Sequence, residues 1–324
     1  MSTIYKTAII GLGNIGWKYD DKVDHKLFDP LSHAGAYTIN KSTNIIGGCS
    51  TDKKDRDDFS NKYKVPVFKS AKEMLGEVNP DIVSICSPTE YHFEHSTLCL
   101  NNNIPMIWLE KPSVKNFSEI QELISLSSKS KNKILVNYPR RFLSNYQKLK
   151  NIYNNGELGN PKDIVLHYSK GLLVNGSHII DSLFMIIDSG KKIKKMNINI
   201  IKKGENPSFI IEYGKIPVYV IGHDVPYHSR EISITFEDGR ISINQEGHCF
   251  IYEKKVEQKF YPGYFQLDSV KKLCNKANDY DKALSRALSN LILSHEKNIM
   301  PKSNLHTSLP TQKVIEIINN VNSR

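Results

Sequence analysis

Three glycines near the N-terminus are spaced as in loops that bind phosphates. They run Gly-x-Gly-x-x-Gly from Gly11 to Gly16 and directly follow the apolar segment Thr7–Ile10. In such a loop the first glycine permits a tight turn, the second lets the backbone approach a pyrophosphate, and the third lets strand and helix pack closely. We therefore expect the loop to begin a helix and to bind NAD or NADP. The contacts predicted here are Gly11, Gly13, Asn14, Ile15 and Gly16.

The residues that close the second apolar segment decide which dinucleotide fits. An acid there would accept hydrogen bonds from the adenosine ribose and favour NAD, whereas its loss beside a basic residue favours NADP. If Ser50 closes the strand, then Ser50, Thr51 and Lys53 would bind a 2′-phosphate. If Asp52 folds back, the site would favour NAD. Both dinucleotides stay open at this stage, and the predicted contacts are Ser50, Thr51, Asp52 and Lys53.

Lys111 and His178 are the candidates for moving a proton during oxidation of an alcohol. Lys111 closely follows the apolar run Pro105–Leu109, and open α/β sheets bind ligands at the carboxyl ends of their strands. Pro112 restricts Lys111 to extended backbone and so fixes the direction of its side chain. His178 is expected in the first turn of a helix, capped by Asn175 or Ser177, where the helix dipole disfavours imidazolium.

Five motifs follow one another along the chain. They are the glycine loop, Cys86-Ser87-Pro88-Thr89 with His92, Glu110-Lys111-Pro112, the segment 137–142 and the segment 176–181. Together they resemble the glucose–fructose oxidoreductase / inositol dehydrogenase / MocA family over essentially the whole chain. The resemblance implies hydride transfer between nicotinamide and a carbon of a sugar, sugar nucleotide or cyclitol. It also implies that Lys111 and His178 are the catalytic residues.

The motifs predict further contacts with cofactor and substrate. Those expected for the cofactor are Cys86, Ser87, Pro88, Thr89, His92, Glu110 and Lys111. Those expected for the substrate are Lys111, Tyr138, Arg140, Arg141, Tyr168, Asn175 and His178. Hydrogen bonding between domains is the alternative role for Tyr138, Arg140 and Arg141.

Two features depart from the family pattern. Val174 stands where many members carry Asp, four residues before the histidine. The segment Trp17–Pro30 looks like an insertion that separates the glycine loop from the helix near His33, and we expect it to border the active site. The run from Gly171 to His178 resembles enzymes of bacterial surface-sugar pathways. A NAD-dependent glycosidase using transient oxidation and a non-catalytic nucleotide-binding protein are the alternative functions.

Two domains must position these residues. Apolar runs alternate with helical segments over residues 1–138, which predicts a Rossmann domain with a parallel sheet. Residues 139–324 are rich in strand-like runs with a hairpin signal at Glu237-Asp238-Gly239, which predicts an α+β domain with a large, mostly antiparallel open sheet. This domain is expected to shape the substrate site and the oligomer, while the last helix packs back on the first domain. The resemblance implies a homodimer or homotetramer.

Composition excludes several other classes of protein. The formal charge is +10, but the lysines are dispersed rather than grouped with aromatic residues, so no nucleic-acid partner is expected. No apolar run approaches the roughly 20 residues that span a bilayer, and the N-terminus does not resemble a signal peptide. A small-molecule substrate and a cytoplasmic location are therefore expected.

Cysteine usage and metal-ligand spacing add two expectations. The five cysteines are scattered without a Cys-x-x-Cys pair, which favours free thiols in a reducing compartment. No His, Cys, Asp or Glu cluster has the spacing of a metal site, and hydride transfer needs no metal.

Overall fold

The chain divides into two compact units in the computed structural model. The model describes residues 3–22, 29–187, 196–274 and 282–322. One unit consists of Met1–Pro139 and Asp281–Leu309, and the other of Arg140–Tyr280 and Pro310–Arg324.

A six-stranded parallel sheet forms the centre of the first unit. Its strands are β1 (Tyr5–Ile10), β2 (Thr43–Cys49), β3 (Val67–Phe68), β4 (Ile82–Ile85), β5 (Met106–Leu109) and β6 (Lys133–Val136). The helices between them are α1 (His33–Ile39), α2 (Lys53–Tyr63), α3 (Ala71–Glu77), α4 (His92–Asn101) and α5 (Phe117–Ser128). The strand order is β3-β2-β1-β4-β5-β6, that of a dinucleotide-binding Rossmann domain.

The sheet is covered on both faces, as its sequence predicts. Every residue of β4, β5 and β6 is buried, and continuously apolar strands are typical of parallel sheets with helices on both sides. Helix α8 (Ala283–Glu296) completes this packing against β5, β6 and α1. The chain order reverses between β1 and β4, and ligands bind open α/β sheets at such a point.

The insertion after the glycine loop precedes the first helix. A turn, in which the Trp17 N–H donates to the Gly13 carbonyl at 3.1 Å, and a short 3-10 helix (Lys18–Asp20) follow the loop, so the expectation that the loop begins an α-helix is wrong. Helix α1 begins at His33, whose N–H donates to the Ile15 carbonyl at 3.0 Å. The inserted residues therefore lie between the turn after the glycine loop and the start of α1, and the first N–H groups of α1 donate to carbonyls of that loop. Their contact with the active site stays a prediction, since residues 23–28 lie outside the described residues.

A buried carboxylate ties the end of the insertion to α1. Asp20 is fully buried and accepts hydrogen bonds from the N–H groups of Leu31 (2.9 Å) and Ser32 (2.7 Å). The Ser32 hydroxyl donates to the same carboxylate at 2.6 Å and accepts from the Gly35 N–H, which caps α1. Asp20 therefore holds the re-entry point of the chain.

The second unit contains an eight-stranded sheet. Its strands are β7 (Pro161–Ser169), β8 (Asn197–Lys202), β9 (Ser208–Tyr213), β10 (Ile216–His223), β11 (Arg230–Phe236), β12 (Gly239–Asn244), β13 (Cys249–Glu257) and β14 (Phe265–Cys274). The helices of this unit are α6 (Ser144–Asn155), α7 (Ser177–Ile187) and residues 310–322 of α9 (Leu305–Asn322), whose first residues belong to the first unit. The order is β14-β13-β12-β11-β7-β10-β9-β8, and only the β7–β10 pair is parallel. The predicted fold class is thus confirmed, including the β11–β12 hairpin.

The two faces of this sheet differ. Alternate residues such as Ile232, Ile234 and Phe236 are buried on the face where α6 and α7 pack. The intervening residues point to the opposite face, which carries Tyr219 at 38% exposure and the half-buried Val165. The second face is therefore the one open to a partner, whereas the apolar side of β11 belongs to the core.

One cysteine expectation is wrong. Cys249 and Cys274 are cross-strand neighbours on β13 and β14 and form a disulfide, while Cys49, Cys86 and Cys99 are free. The sequence did not indicate this pair because β14 was not predicted, and without that strand nothing brings the two cysteines together.

Among the helices that the structure describes, none has the length and apolar character needed to cross a membrane.

Candidate functional site

A groove of about 670 Å³ lies at the carboxyl ends of β1, β2 and β4 in the first unit. We call it the N-terminal groove. Its walls are the glycine loop, the β2 end, the start of α3, the β4 end and the start of α4. Residues along these walls include Gly11, Leu12, Gly13, Cys49, Ser50, Thr51, Lys69, Ser70, Lys72, Cys86, Ser87, Pro88, Tyr91 and His95. The groove thus occupies the position where this sheet topology binds ligands.

The glycine loop has the geometry that a pyrophosphate requires. Gly11 has a φ of +95°, and a Cβ there would lie 2.6 Å from the Cys86 carbonyl. A Cβ on Gly16 would collide with the Gly11 carbonyl oxygen. A Cβ on Gly13 would meet no heavy atom within 4 Å, so the backbone at Gly13 borders open space. The loop is therefore closed on its sheet side and accessible on its groove side, which fits a dinucleotide.

The four residues predicted at the β2 end have different environments. Ser50 and Thr51 line the N-terminal groove. Asp52 is the N-cap of α2, its carboxylate accepting from the Asp55 N–H at 3.0 Å. This bond lowers the pKa of Asp52. The Lys53 ammonium pairs along the exposed side of α2 with Asp57 at 2.7 Å. The structure therefore brings only the two hydroxyl residues to the groove.

Three of the five residues predicted after β4 line the same groove. Cys86, Ser87 and Pro88 line it, and Thr89 begins a short 3-10 turn. His92 is buried, and its ring nitrogens lie 2.8 Å from the carbonyl oxygens of Ser87 and Pro112. His92 therefore joins the loop after β4 to the loop after β5, and this makes it a positioning residue.

Glu110 lies at the end of β5 in a buried polar network. One carboxylate oxygen is 3.0 Å from His33 Nε2 and also accepts from the Asn137 amide; the other accepts from the Lys111 N–H at 3.2 Å. Burial alone would raise the pKa of Glu110, but the hydrogen bonds from His33 and Asn137 outweigh it. The pKa is therefore lowered, and Glu110 remains a carboxylate.

The network continues away from the groove. His33 is fully buried, and its Nδ1 lies 2.8 Å from the Ser84 hydroxyl, which is 2.6 Å from the Tyr37 hydroxyl. Three successive polar groups thus support the carboxylate that fixes the Lys111 backbone. The contact between His33 and Glu110 has no local sequence signal, because 77 residues separate the two.

In the second unit, His178 follows a helical turn rather than a cap. A π-helical turn, Leu172–Gly176, runs directly into α7, and the Ser177 hydroxyl donates to the Leu173 carbonyl at 2.7 Å. The expectation that Asn175 or Ser177 caps the helix is therefore wrong. His178 is the second residue of α7, as predicted, but the π-helical turn continues into α7, so no free helix N-terminus lies beside it and the dipole argument for a neutral imidazole does not apply.

Asn175 belongs to a polar cluster that the sequence did not predict. Its amide lies 2.9 Å from His228 Nδ1, and its oxygen accepts from Arg230 at 3.1 Å. Arg230 also pairs with Glu246, and the buried Arg140 lies 3.6 Å from the same carboxylate. Two arginines thus converge on one acid next to the turn that leads to His178. Strand β11 and the β12–β13 turn supply Arg230 and Glu246, which no local motif marks.

The other predicted substrate residues are engaged in packing. Arg141 forms a buried, bidentate pair with Asp181, with both N–O distances 2.8 Å, so Asp181 is the partner of Arg141. Tyr168 is fully buried, and its hydroxyl donates to the Pro207 carbonyl at 2.7 Å. Burial raises the pKa of Tyr168, and Tyr138 is likewise buried. These placements favour structural roles. The described residues contain no cluster of His, Cys, Asp or Glu suited to a metal ion.

The strand order, glycine loop and N-terminal groove define the first unit as a dinucleotide-binding Rossmann domain. Residues 5–138 match the family model of the GFO_IDH_MocA proteins, described as an oxidoreductase family with an NAD-binding Rossmann fold. The first domain is therefore similar to that oxidoreductase family, and the match covers less than half of the chain. The predicted cofactor class, NAD or NADP, is confirmed at the level of the family.

Several curated proteins are similar to part of the chain. D-glucoside 3-dehydrogenase of Escherichia coli (strain K12) is 27% identical over 159 residues, which cover 49% of this chain and 41% of that protein. Myo-inositol 2-dehydrogenase of Thermotoga maritima is 27% identical over 158 residues, covering 48% and 42%. The chain thus spans less than half the length of these two relatives.

Solved structures resemble the chain over nearly its full length. A dehydrogenase from Chromobacterium violaceum has a TM-score of 0.78 at 14% identity and covers 100% of this chain and 96% of its own. An oxidoreductase from Agrobacterium radiobacter in complex with NAD+, L-tartaric acid and magnesium has a TM-score of 0.77 at 12% identity, covering 99% and 97%. At these identities the likeness establishes the fold.

Proposed function

We propose that this chain is an NAD(P)-dependent oxidoreductase that transfers a hydride between nicotinamide and a carbon of a sugar, sugar nucleotide or cyclitol. The observation that carries the proposal is the N-terminal groove, where the glycine loop meets the β2 and β4 ends in a domain of an NAD-binding family. The names of relatives, which include dehydrogenases of a glucoside, an inositol and glucose 6-phosphate, support this substrate class.

Residues around the groove have distinct tasks in this proposal. The glycine loop, Ser50, Thr51 and the segment Cys86–Pro88 bind the dinucleotide, which when bound supplies a hydride acceptor or donor at C4 of its nicotinamide. Glu110 and His92 fix the β5 end so that Lys111 keeps one position. A preorganised catalytic group of this kind lowers the barrier because little reorganisation accompanies the reaction.

Lys111 and His178 are the proposed acid–base residues for the reacting hydroxyl. General acid–base groups of this kind typically contribute about 10²–10⁴-fold in rate. Asn175 and Arg140 are the substrate contacts that the second unit presents next to His178, because both belong to the cluster around Glu246. Val174 stands at the position where many members of the resembled family carry Asp, and it supplies no carboxylate there. The residue is 56% exposed.

We further propose that the chain forms a homodimer or homotetramer through the open face of the eight-stranded sheet. We also propose a cytoplasmic location and a role in bacterial surface-sugar biosynthesis. The half-buried Val165 and the exposed Tyr219 on that face support self-association. The cofactor class supports the location, because reduced nicotinamide dinucleotides are cytoplasmic metabolites. The run from Gly171 to His178 supports the pathway.

The test is a screen of the purified full-length chain with NAD+ and NADP+ against sugars, sugar nucleotides and cyclitols. We expect an absorbance increase at the reduced-nicotinamide band with at least one polyol, and loss of this signal in Lys111→Ala. Release of free sugar without net cofactor reduction would identify a glycosidase. Dinucleotide binding without turnover of any substrate would identify a nucleotide-binding protein and overturn the proposal.

A further inference from the structure

The β2 end presents hydroxyl groups to the N-terminal groove where NAD-specific domains present a carboxylate. Ser50 and Thr51 are the first residues after β2, and both line the groove. Asp52, the nearest acid in sequence, is the N-cap of α2 and is not among the residues that line the groove. A ribose 2′-hydroxyl at this end therefore lacks the acid that would accept its proton.

The loop at the β2 end is held in this arrangement by its own side chains. The Arg56 guanidinium donates to the carbonyl oxygens of Ser50 (2.6 Å) and Thr51 (3.0 Å). The Ser50 hydroxyl oxygen accepts from the Asp52 N–H at 3.2 Å, so its proton is directed to another acceptor. A phosphate oxygen is such an acceptor.

Two lysines adjoin the same position. Cys49 pairs with Phe68 across β2 and β3, and the Ser50 N–H donates to the Phe68 carbonyl at 3.1 Å, so Lys69 is next to Ser50 at the strand ends. Lys69 and Lys72 are both exposed and line the groove.

Two acids also line the groove, but neither opposes a phosphate at the β2 end. The carboxylate of Asp55 is paired with the Lys18 ammonium. Glu94 lies on α4, after β4, and β1 separates that strand from β2. At a spacing of roughly 4.8 Å per strand, Glu94 is on the order of 10 Å away along the sheet.

We propose that the β2 end of the N-terminal groove is a 2′-phosphate subsite, formed by Ser50, Thr51, Lys69 and Lys72, and that the chain prefers NADP(H) to NAD(H). This inference rests on the proposed function and selects one of its two cofactors. Lysine ammonium groups supply the charge, and the hydroxyls supply directed hydrogen bonds.

The test is calorimetric titration of the purified full-length chain with NADPH and with NADH at equal ionic strength. We expect NADPH to bind at least about tenfold more tightly, the effect of one charge-assisted hydrogen bond. Ser50→Asp should weaken NADPH and strengthen NADH, because a carboxylate repels the phosphate and accepts from the ribose. The double variant Lys69→Ala/Lys72→Ala should weaken NADPH alone. Lys129→Ala, an exposed lysine at the end of α5, is the matched control and should change neither affinity.

The outcomes separate this inference from the proposed function. Equal or tighter binding of NADH by the wild type would overturn the subsite and leave the oxidoreductase proposal standing. Unchanged NADPH affinity in both Ser50→Asp and the double lysine variant would also overturn it. Failure of either dinucleotide to bind would overturn the subsite and the proposed function together.

Discussion

A pair of glycine substitutions separates the two tasks of the glycine loop. Gly11 and Gly13 are two residues apart, yet their surroundings are opposite. A Cβ on Gly11 meets the backbone of Cys86 and Ser87 at 2.6 Å, whereas a Cβ on Gly13 meets nothing within 4 Å. Gly11→Ala should therefore damage the fold, and Gly13→Val should damage ligand binding with the fold preserved.

The magnitudes follow from these surroundings. Holding alanine at a φ of +95° costs about 1–3 kcal/mol before the collision with Cys86 is counted. For a domain of this size that corresponds to a fall in Tm of roughly 2–12 °C. Gly13→Val is a surface change, worth within about 0.5 kcal/mol of stability. It does place a side chain where the pyrophosphate approaches, and each charge-assisted hydrogen bond lost there weakens binding by about 10- to 150-fold.

Thermal unfolding followed by circular dichroism measures the first effect, and calorimetric titration with NADPH and NADH measures the second. We expect Gly11→Ala to have the lower Tm and Gly13→Val to retain the wild-type Tm while losing affinity for both dinucleotides. Wild-type affinity in Gly13→Val would show that the pyrophosphate does not approach this loop. Equal stability of the two variants would refute the steric argument.

Three further predictions concern the catalytic pair, the buried carboxylate and the open sheet face. Lys111→Ala and His178→Ala should each reduce kcat by about 10²–10⁴-fold. If the two residues act as a unit, the kcat of the double variant should be only slightly below that of the less active single variant. Additive losses in steady-state kinetics would refute a shared role. Because the pKa of Glu110 is lowered from 4.5 by folding, its contribution to stability is present above the ordinary carboxyl pKa and is lost as the pH falls through the folded value. Glu110→Gln should remove that part of the pH dependence of Tm, and an unchanged profile would contradict it. Tyr219→Glu should shift the mass measured by light scattering toward the monomer, because a charge on an interface must be desolvated; a monomeric wild type at micromolar concentration would refute the interface.

Much of the fold was predictable because most of its strands have a recognisable local sequence pattern. The apolar runs and helical segments that alternate over residues 1–138 became the strands and helices of the parallel sheet, with Thr7–Ile10 inside β1. The hairpin of β11 and β12 followed from two alternating runs around a turn. These signals depend on neighbours in sequence, and sequence displays them directly.

Elements without a local signal were missed. Strand β3 has two residues, Val67 and Phe68, and is too short for a periodic pattern. Helix α6 is rich in Asn and Lys, and β14 is a polar edge strand that pairs only with β13. Because β3 was not predicted, Lys69 and Lys72 were not included in the predicted cofactor site. The position of those lysines follows from the rule that carboxyl ends of parallel strands share one edge.

In the candidate site too, residues within local motifs were predicted, whereas their partners from distant parts of the chain were not. Gly11, Gly13 and Ser50, which motif and spacing selected, line the N-terminal groove, and their contacts with a cofactor stay a prediction. The partners of Glu110 and Asn175 were not, because His33 and Arg230 reach them from distant parts of the chain. A motif specifies which residue performs chemistry, but long-range packing decides what holds that residue.

Transfer of an isotopic label tests the central claim most directly. A polyol identified in the screen would carry deuterium on the carbon to be oxidised and would be incubated with the chain and NADP+ or NAD+. We expect deuterium at C4 of the reduced nicotinamide, one atom per carbonyl formed, and a greatly reduced rate of labelling in Lys111→Ala. Formation of the carbonyl with no deuterium on the nicotinamide would contradict hydride transfer, and wild-type labelling in Lys111→Ala would remove Lys111 from the mechanism.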